Sequence, residues 1–207
     1  IRRLNREEYR YTVKDIFRIN LDVKNILPPD DTGYGFDTIG DVLSISPLLM
    51  EKYLEAAREV VTEVVPLDGS QKDYPKHVRH LFPAGLPSAD KSNKDFYRRS
   101  ILGRVATMAF RRPVDKETIE RLVAIARETD ELRDNGFETG IQRAMTAILV
   151  SPRFLMRAEI QTEPDNPSKV VAIDEFALAS RLSYFLWSSC PDEQLLDLAA
   201  KGELRKN

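Results

Sequence analysis

The chain has 207 residues and a formal net charge of -2, with 42% hydrophobic and 31% charged residues. That length supports a sizeable core, and the charge balance excludes the basic field that nucleic acid selects and the polybasic surface that suits a membrane. One cysteine, Cys190, excludes an intrachain disulfide and c-type haem attachment through C-x-x-C-H. No apolar run approaches the ~20 residues that span a bilayer.

The first helix is signalled by Asn5 as cap and Glu8 three residues on, a capping box, with Leu4 and Tyr9 placed for a hydrophobic staple. Tyr9, Val13, Ile16 and Phe17 share one face at helical spacing, and the pattern stops near Asn20. The stretch Leu27–Pro47, LPPDDTGYGFDTIGDVLSISP, is long, irregular and rich in Asp, Gly and Pro. Loops beyond about 12–15 residues are usually functional or disordered. Tyr34, Phe36, Ile39, Val42, Leu43 and Ile45 give this one something to bury, so it is expected to be ordered.

Ser46-Pro47 starts a second helix, with Met50, Tyr53, Leu54, Ala57, Val61 and Val64 as its stripe and Pro66 as its stop. Residues Leu67 to Lys91 carry Pro75, Pro83, Gly85 and Pro87 with little periodicity and read as a linker. Ser92 with Asp95 is expected to open a third helix, facing Phe96, Leu102, Val105, Ala106, Ala109 and Phe110 inward until Pro113. Asp115 caps a fourth, with Ile119, Leu122, Val123 and Ala126 inside. A turn at Asp134-Asn135-Gly136 leads to a fifth, burying Ile141, Ala144, Met145, Ile148 and Leu149. Ser151-Pro152 kinks or restarts it, and Phe154 and Leu155 continue an apolar face. After a polar loop, TEPDNPSK, Asp174 caps another helix with the stripe Leu178, Leu182, Phe185 and Leu186. Pro191 is expected to open a last short helix, and Gly202 to stop it.

Strand alternation is absent, with only a short extended entry at 169–173. The expected fold is all-α: antiparallel helical bundle-like units with long irregular loops. The expected divisions are 1–66, a helix-loop-helix unit; 67–91, a linker; 92–161, a central helical unit; and 162–207, the start of a further helical domain that the chain truncates. Without an initiator Met, and opening on Ile1-Arg2-Arg3, the chain reads as a piece of a longer protein.

Candidate chemistry is sparse. Asp30, Asp31, Asp37 and Asp41 are hard oxygen ligands of the kind calcium prefers, but EF-hand spacing fails, since Gly33 stands at its third position. The competing account is that Asp and Gly make turns and cap amides. His77 and His80 form H-x-x-H, yet a zinc site needs further Cys, His or carboxylate ligands, and Cys190 is far away in sequence. Met50, Met108, Met145 and Met156 could ligate iron, though apolar stripes favour packing. The pairs Glu7-Glu8, Asp30-Asp31 and Asp192-Glu193 could serve as a glycosidase acid and base; the first and last sit at helix starts, where acids favour the dipole. Tyr34, Phe36 and Trp187 could stack on a sugar or partner, while Trp187 at the end of an apolar stripe reads first as core.

Three stretches carry a family resemblance. RRLNREEYRYTVKDIF followed by LPPDDTGYGFDTIGDVLSISPLLMEKYLEAA is the first, and FYRRSILGRVATMAFRRPVDKETIERL is the second. AILVSPRFLMRAEI with DEFALASRLSYFLWSSCPDEQLLDLA is the third. In order and spacing they resemble the adjacent domains of unknown function in large planctomycete cytochrome-linked proteins. Cys190 departs from the apolar or small residue expected beside Pro191. The resemblance implies an exported parent, periplasmic or in the cell envelope, with a c-type cytochrome module upstream and a C-x-x-C-H domain downstream. Haem c is then expected elsewhere in the parent and no cofactor in this segment. The implied partners are those flanking domains and a polysaccharide-related substrate. The family supplies no catalytic residues. The implied role is scaffolding or shaping a substrate cleft in periplasmic electron transfer or oxidation, as part of an oxidoreductase. A carbohydrate- or protein-binding module and a hydrolase using loop carboxylates are the alternatives.

Overall fold

The computed structural model describes residues 2–32, 43–67, 76–84, 93–131, 136–157, 159, 163, 165–166 and 168–206. The chain opens with a two-residue strand, β1 (Arg2–Arg3), and then α1 (Arg6–Phe17). Asn5 accepts from the Glu8 amide and Glu8 answers on the Asn5 amide, so the capping box is complete. The helix ends at Phe17, short of Asn20, because Arg18 takes a left-handed φ of 59°. A single turn, α2 (Val23–Ile26), follows.

Helix α3 (Pro47–Val64) begins as expected: Ser46 accepts from the Leu49 amide and Pro47 sets the first helical φ. The linker region contains a 3-10 helix, Lys76–Leu81, that buries Val78 and Leu81. His80 anchors it, with Nε2 2.8 Å from the Ile16 carbonyl oxygen.

Helix α4 (Lys94–Phe110) starts at Asn93, which makes no side-chain cap bond. The expected cap Ser92 lies outside the described residues, and Phe96 is 53% exposed instead of facing inward. Helices α5 (Lys116–Arg127) and α6 (Gly136–Leu149) pack against α4 and each other, and α3 packs on α6. The five α6 residues expected inside, Ile141, Ala144, Met145, Ile148 and Leu149, are fully buried.

Ser151 restarts the chain as α7 (Pro152–Leu155), whose end runs into β2 (Met156–Arg157). β2 pairs antiparallel with β1, matching Arg2 to Arg157 and Arg3 to Met156. The pattern gave no sign of this clasp, since two residues cannot display alternation.

Helix α8 (Glu175–Trp187) is capped by Asp174, which accepts from the Ala177 amide. The last helix, α9 (Glu193–Lys201), is capped by Asp192 rather than opened by Pro191. Gly202 stops it at φ 66°, and the Gly202 amide donates to the Ala199 carbonyl. The fold is all-α, with one small strand pair among the described residues. Its buried apolar residues form a continuous cluster that includes Leu4, Val60, Leu81, Leu102, Ile148 and Tyr184.

Candidate functional site

Helix α8 presents to the interior a different face from the one its leucines suggested. Ala177, Ala179, Ser183 and Tyr184 are buried, whereas Leu182, Phe185 and Leu186 are exposed. Tyr184 decides the rotation. Its hydroxyl is 2.8 Å from Thr12 Oγ1 on α1, and the Arg157 guanidinium lies 4.5 Å over its ring. A large amphipathic ring with a partnered hydroxyl gains more from burial than the neighbouring Leu side chains.

The outward face of α8 forms one wall of a groove closed by α9 and α1. Tyr11 and Asp15 come from α1, Leu182, Leu186 and Trp187 from α8, and Gln194, Leu195 and Leu198 from α9. Phe185, Leu186 and Trp187 are 86%, 58% and 75% exposed. The core reading of Trp187 is therefore corrected: a left-handed Ser188 (φ 54°) ends the helix and leaves the indole outside. Ser189 Oγ donates to Asp15 at 2.5 Å, tying the end of α8 to α1.

Cys190 also lines this groove. Burial, and secondarily the Asp15 carboxylate, push its thiol up to about 11. Alkylation by iodoacetamide at pH 8 is expected to be far slower than for free cysteine, with the rate rising above pH 10. A rate at pH 8 equal to that of free cysteine would contradict this environment.

The remaining candidates scatter. Asp30 lies in a buried ion pair, Oδ1 2.7 Å from Arg3 Nη1, and its Oδ2 accepts the Arg6 amide at 2.5 Å. Asp31 is exposed, and Tyr34, Phe36, Asp37 and Asp41 lie outside the described residues. Among the described residues, no three of His, Cys, Asp and Glu group so as to hold a metal ion. Glu8 is buried between Arg2 and Arg157, and Glu7 holds Arg10. Asp192 caps α9, and Glu193 pairs with Arg104. Met145 is fully buried, and Met50 and Met108 pack against the core.

Sequence reasoning missed the groove because it assigned α8 a single apolar face. The signal was present: Phe176, Tyr184, Leu182 and Leu186 fall on opposite sides of the helix, and a helix apolar on both sides wants partners on both.

Family comparison divides the chain along the same elements. Residues 2–66 match PSD3, a protein of unknown function (DUF1587); residues 97–159 match PSD5 (DUF1595); residues 173–207 match PSD4 (DUF1592). The chain carries three successive domains of unknown function. No curated protein and no solved structure matches it. The PSD3 region runs from β1 through α3, the PSD5 region from α4 through β2, and the PSD4 region holds α8 and α9. The α8 groove thus lies between PSD4 and PSD3 residues. Thr12–Tyr184 and Asp15–Ser189 bridge the same two regions.

Proposed function

We propose that this chain is the non-haem helical region of an exported, c-type-cytochrome-linked protein, and that its work is to hold neighbouring domains in place. The occupant of the α8 groove is a helical domain of the same parent protein. The exposed Leu182 and Leu186, four residues apart on the α8 wall of the groove, with the exposed Leu198 of α9, carry this reading. Singly exposed apolar residues are ordinary, but several on the walls of one apolar groove mark an interaction surface. Its lining of Leu182, Leu195 and Leu198 suits the apolar stripe of another helix. The succession of PSD3, PSD5 and PSD4 regions, together with the resemblance of their motifs, supports placing the chain in a cytochrome-linked parent, where such a scaffold would shape a substrate cleft.

Hydrogen exchange on this chain alone and within its parent tests the reading. Strong protection of residues 182–198 in the parent, relative to the isolated chain, is expected. Equal exchange in the two overturns it.

A second reading draws on Trp187. An exposed indole beside Asp15, Asp192 and Gln194 has the stacking face and hydrogen-bonding rim of a sugar site. A glycan array then gives binding that Trp187→Ala abolishes, and an array without binding removes this reading. The hydrolase alternative gains no support from Asp30, whose carboxylate serves Arg3 and the Arg6 amide.

A further inference from the structure

A second cavity, of about 250 Å³, lies where the PSD5 and PSD4 regions meet. Five arginines line it, Arg111, Arg112, Arg153, Arg157 and Arg181, against one acid, Glu159. We propose that this cavity binds a small dianion through the oxyanion chemistry shared by carboxylate, phosphate and sulfate groups.

Among the described residues, the charges lining it do not balance. Arg181 takes Glu159, with Nη2 at 2.6 Å from Oε2. Arg112 takes Asp174 at 3.1 Å. Arg157 reaches Glu8 at 3.2 Å, but Arg2 occupies the same carboxylate oxygen at 2.5 Å. Arg111 and Arg153 make no direct ion pair among the described residues; Arg153 has the Asp115 carboxylate nearby, through the shared Thr118 hydroxyl, and Arg111 has no such partner there. Arg111 is 4% exposed and bonds only neutral acceptors: the carbonyls of Arg153, Phe154 and Met156, and the Tyr184 hydroxyl. Arg153 bonds the Thr118 hydroxyl at 3.2 Å. A buried cation without a counterion is costly, and an anion entering the cavity relieves that cost. Burial and then the Arg2 charge already pull the Arg157 guanidinium below its usual range.

The arginines are also preorganised. Arg153 lies 4.5 Å over the Phe110 ring and Arg157 4.5 Å over Tyr184, while Arg112 lies 5.9 Å from the Phe176 ring centre. A guanidinium stacked by its face keeps its N–H edge for a planar or tetrahedral oxyanion, at little entropic cost. The Ser180 side chain lines the same space and adds a donor. The volume equals about eight waters at ~30 Å³ each, enough for a compact dianion.

Calorimetry on the 207-residue chain at constant ionic strength tests the site. The probes are inorganic phosphate, sulfate, malonate and uncharged malonamide. At least one dianion is expected to bind with Kd below about 1 mM and malonamide not at all. Binding of phosphate or sulfate alone assigns a tetrahedral group, and binding of malonate alone a carboxylate. Arg153→Gln is expected to weaken binding about tenfold or more. Arg153 is exposed, so its replacement spares the fold, which circular dichroism verifies. Arg99→Gln, at an exposed pair with Glu120 outside the cavity, is expected to bind as the unaltered chain does. No dianion binding in this range, malonamide binding like malonate, or equal weakening by both substitutions overturns the proposal.

Discussion

Gly140→Ala is expected to destabilise the protein by about 3 kcal/mol or more, while Gly103→Ala stabilises it by up to about 1 kcal/mol. Both glycines lie inside helices, where alanine propagates the helix better than glycine. Their surroundings differ. A Cβ at Gly103 would meet only Ile119 Cδ1 at 3.6 Å, an ordinary contact. A Cβ at Gly140 would collide with the Ala126 carbonyl oxygen and sit 2.8 Å from Thr129 Oγ1. Ala126 is backbone in α5, fully buried, so relief requires the whole helix to move off α6. Densely packed interiors resist that displacement. At this chain length the expected shifts in Tm are about 6–12 °C downward for Gly140→Ala and about 2–4 °C upward for Gly103→Ala. Thermal unfolding followed by circular dichroism reads both. Equal behaviour of the two variants would mean that α5 and α6 do not approach this closely.

That crossing was invisible in the sequence, where Gly140 looks like any helical glycine. Local features were far more legible. Asn5, Ser46, Asp115 and Asp174 cap the helices they were expected to cap, because a cap bond spans two or three residues. The inward faces of α5 and α6 followed from spacing, since each helix has one polar side. Helix α8 defeated the same reasoning by being apolar on two sides. Its orientation depends on Tyr184 meeting Thr12, 172 residues away. The arginine cavity was equally hidden. Arg111 occupies a left-handed position, φ 59°, where Gly or Asn is the usual signal. That conformation costs roughly 1–2 kcal/mol, and the guanidinium bonds to the carbonyls of Arg153, Phe154 and Met156 offset it. The sequence pair Arg111-Arg112 resembles an ordinary solvated basic pair until α7 folds onto it. The groove likewise draws its walls from α1, α8 and α9, and so was assembled only by the fold.

Asp30→Asn is expected to cost about 3–5 kcal/mol, the usual price of breaking a buried ion pair from one side. The side chains of Arg3 and Asp30 are 6% and 7% exposed. Arg3 also donates through Nε to the Ser44 carbonyl at 2.9 Å and through Nη1 to the Leu4 carbonyl at 2.9 Å. One guanidinium thus ties β1 to both ends of the Asp/Gly/Pro-rich segment, at Asp30 and at Ser44. Asparagine matches the shape of aspartate but leaves the Arg3 charge buried without its partner, so the loss exceeds that of one neutral hydrogen bond. Arg3→Met removes the charge itself and fills much of the space; it is expected to cost less than Asp30→Asn and to restore part of the stability when the two are combined. Urea unfolding of the four proteins measures that coupling, and additive losses would show that the pair does not act as a unit. Calcium provides a separate reading of the same carboxylate. With Oδ1 on the Arg3 guanidinium and Oδ2 on the Arg6 amide, the Asp30 charge is already compensated, and the Arg3 cation repels a second one. Millimolar calcium is therefore expected to leave Tm unchanged in the unaltered chain. A calcium-dependent rise that disappears in Asp30→Asn would instead make this carboxylate a metal ligand, and would require Arg3 to give it up.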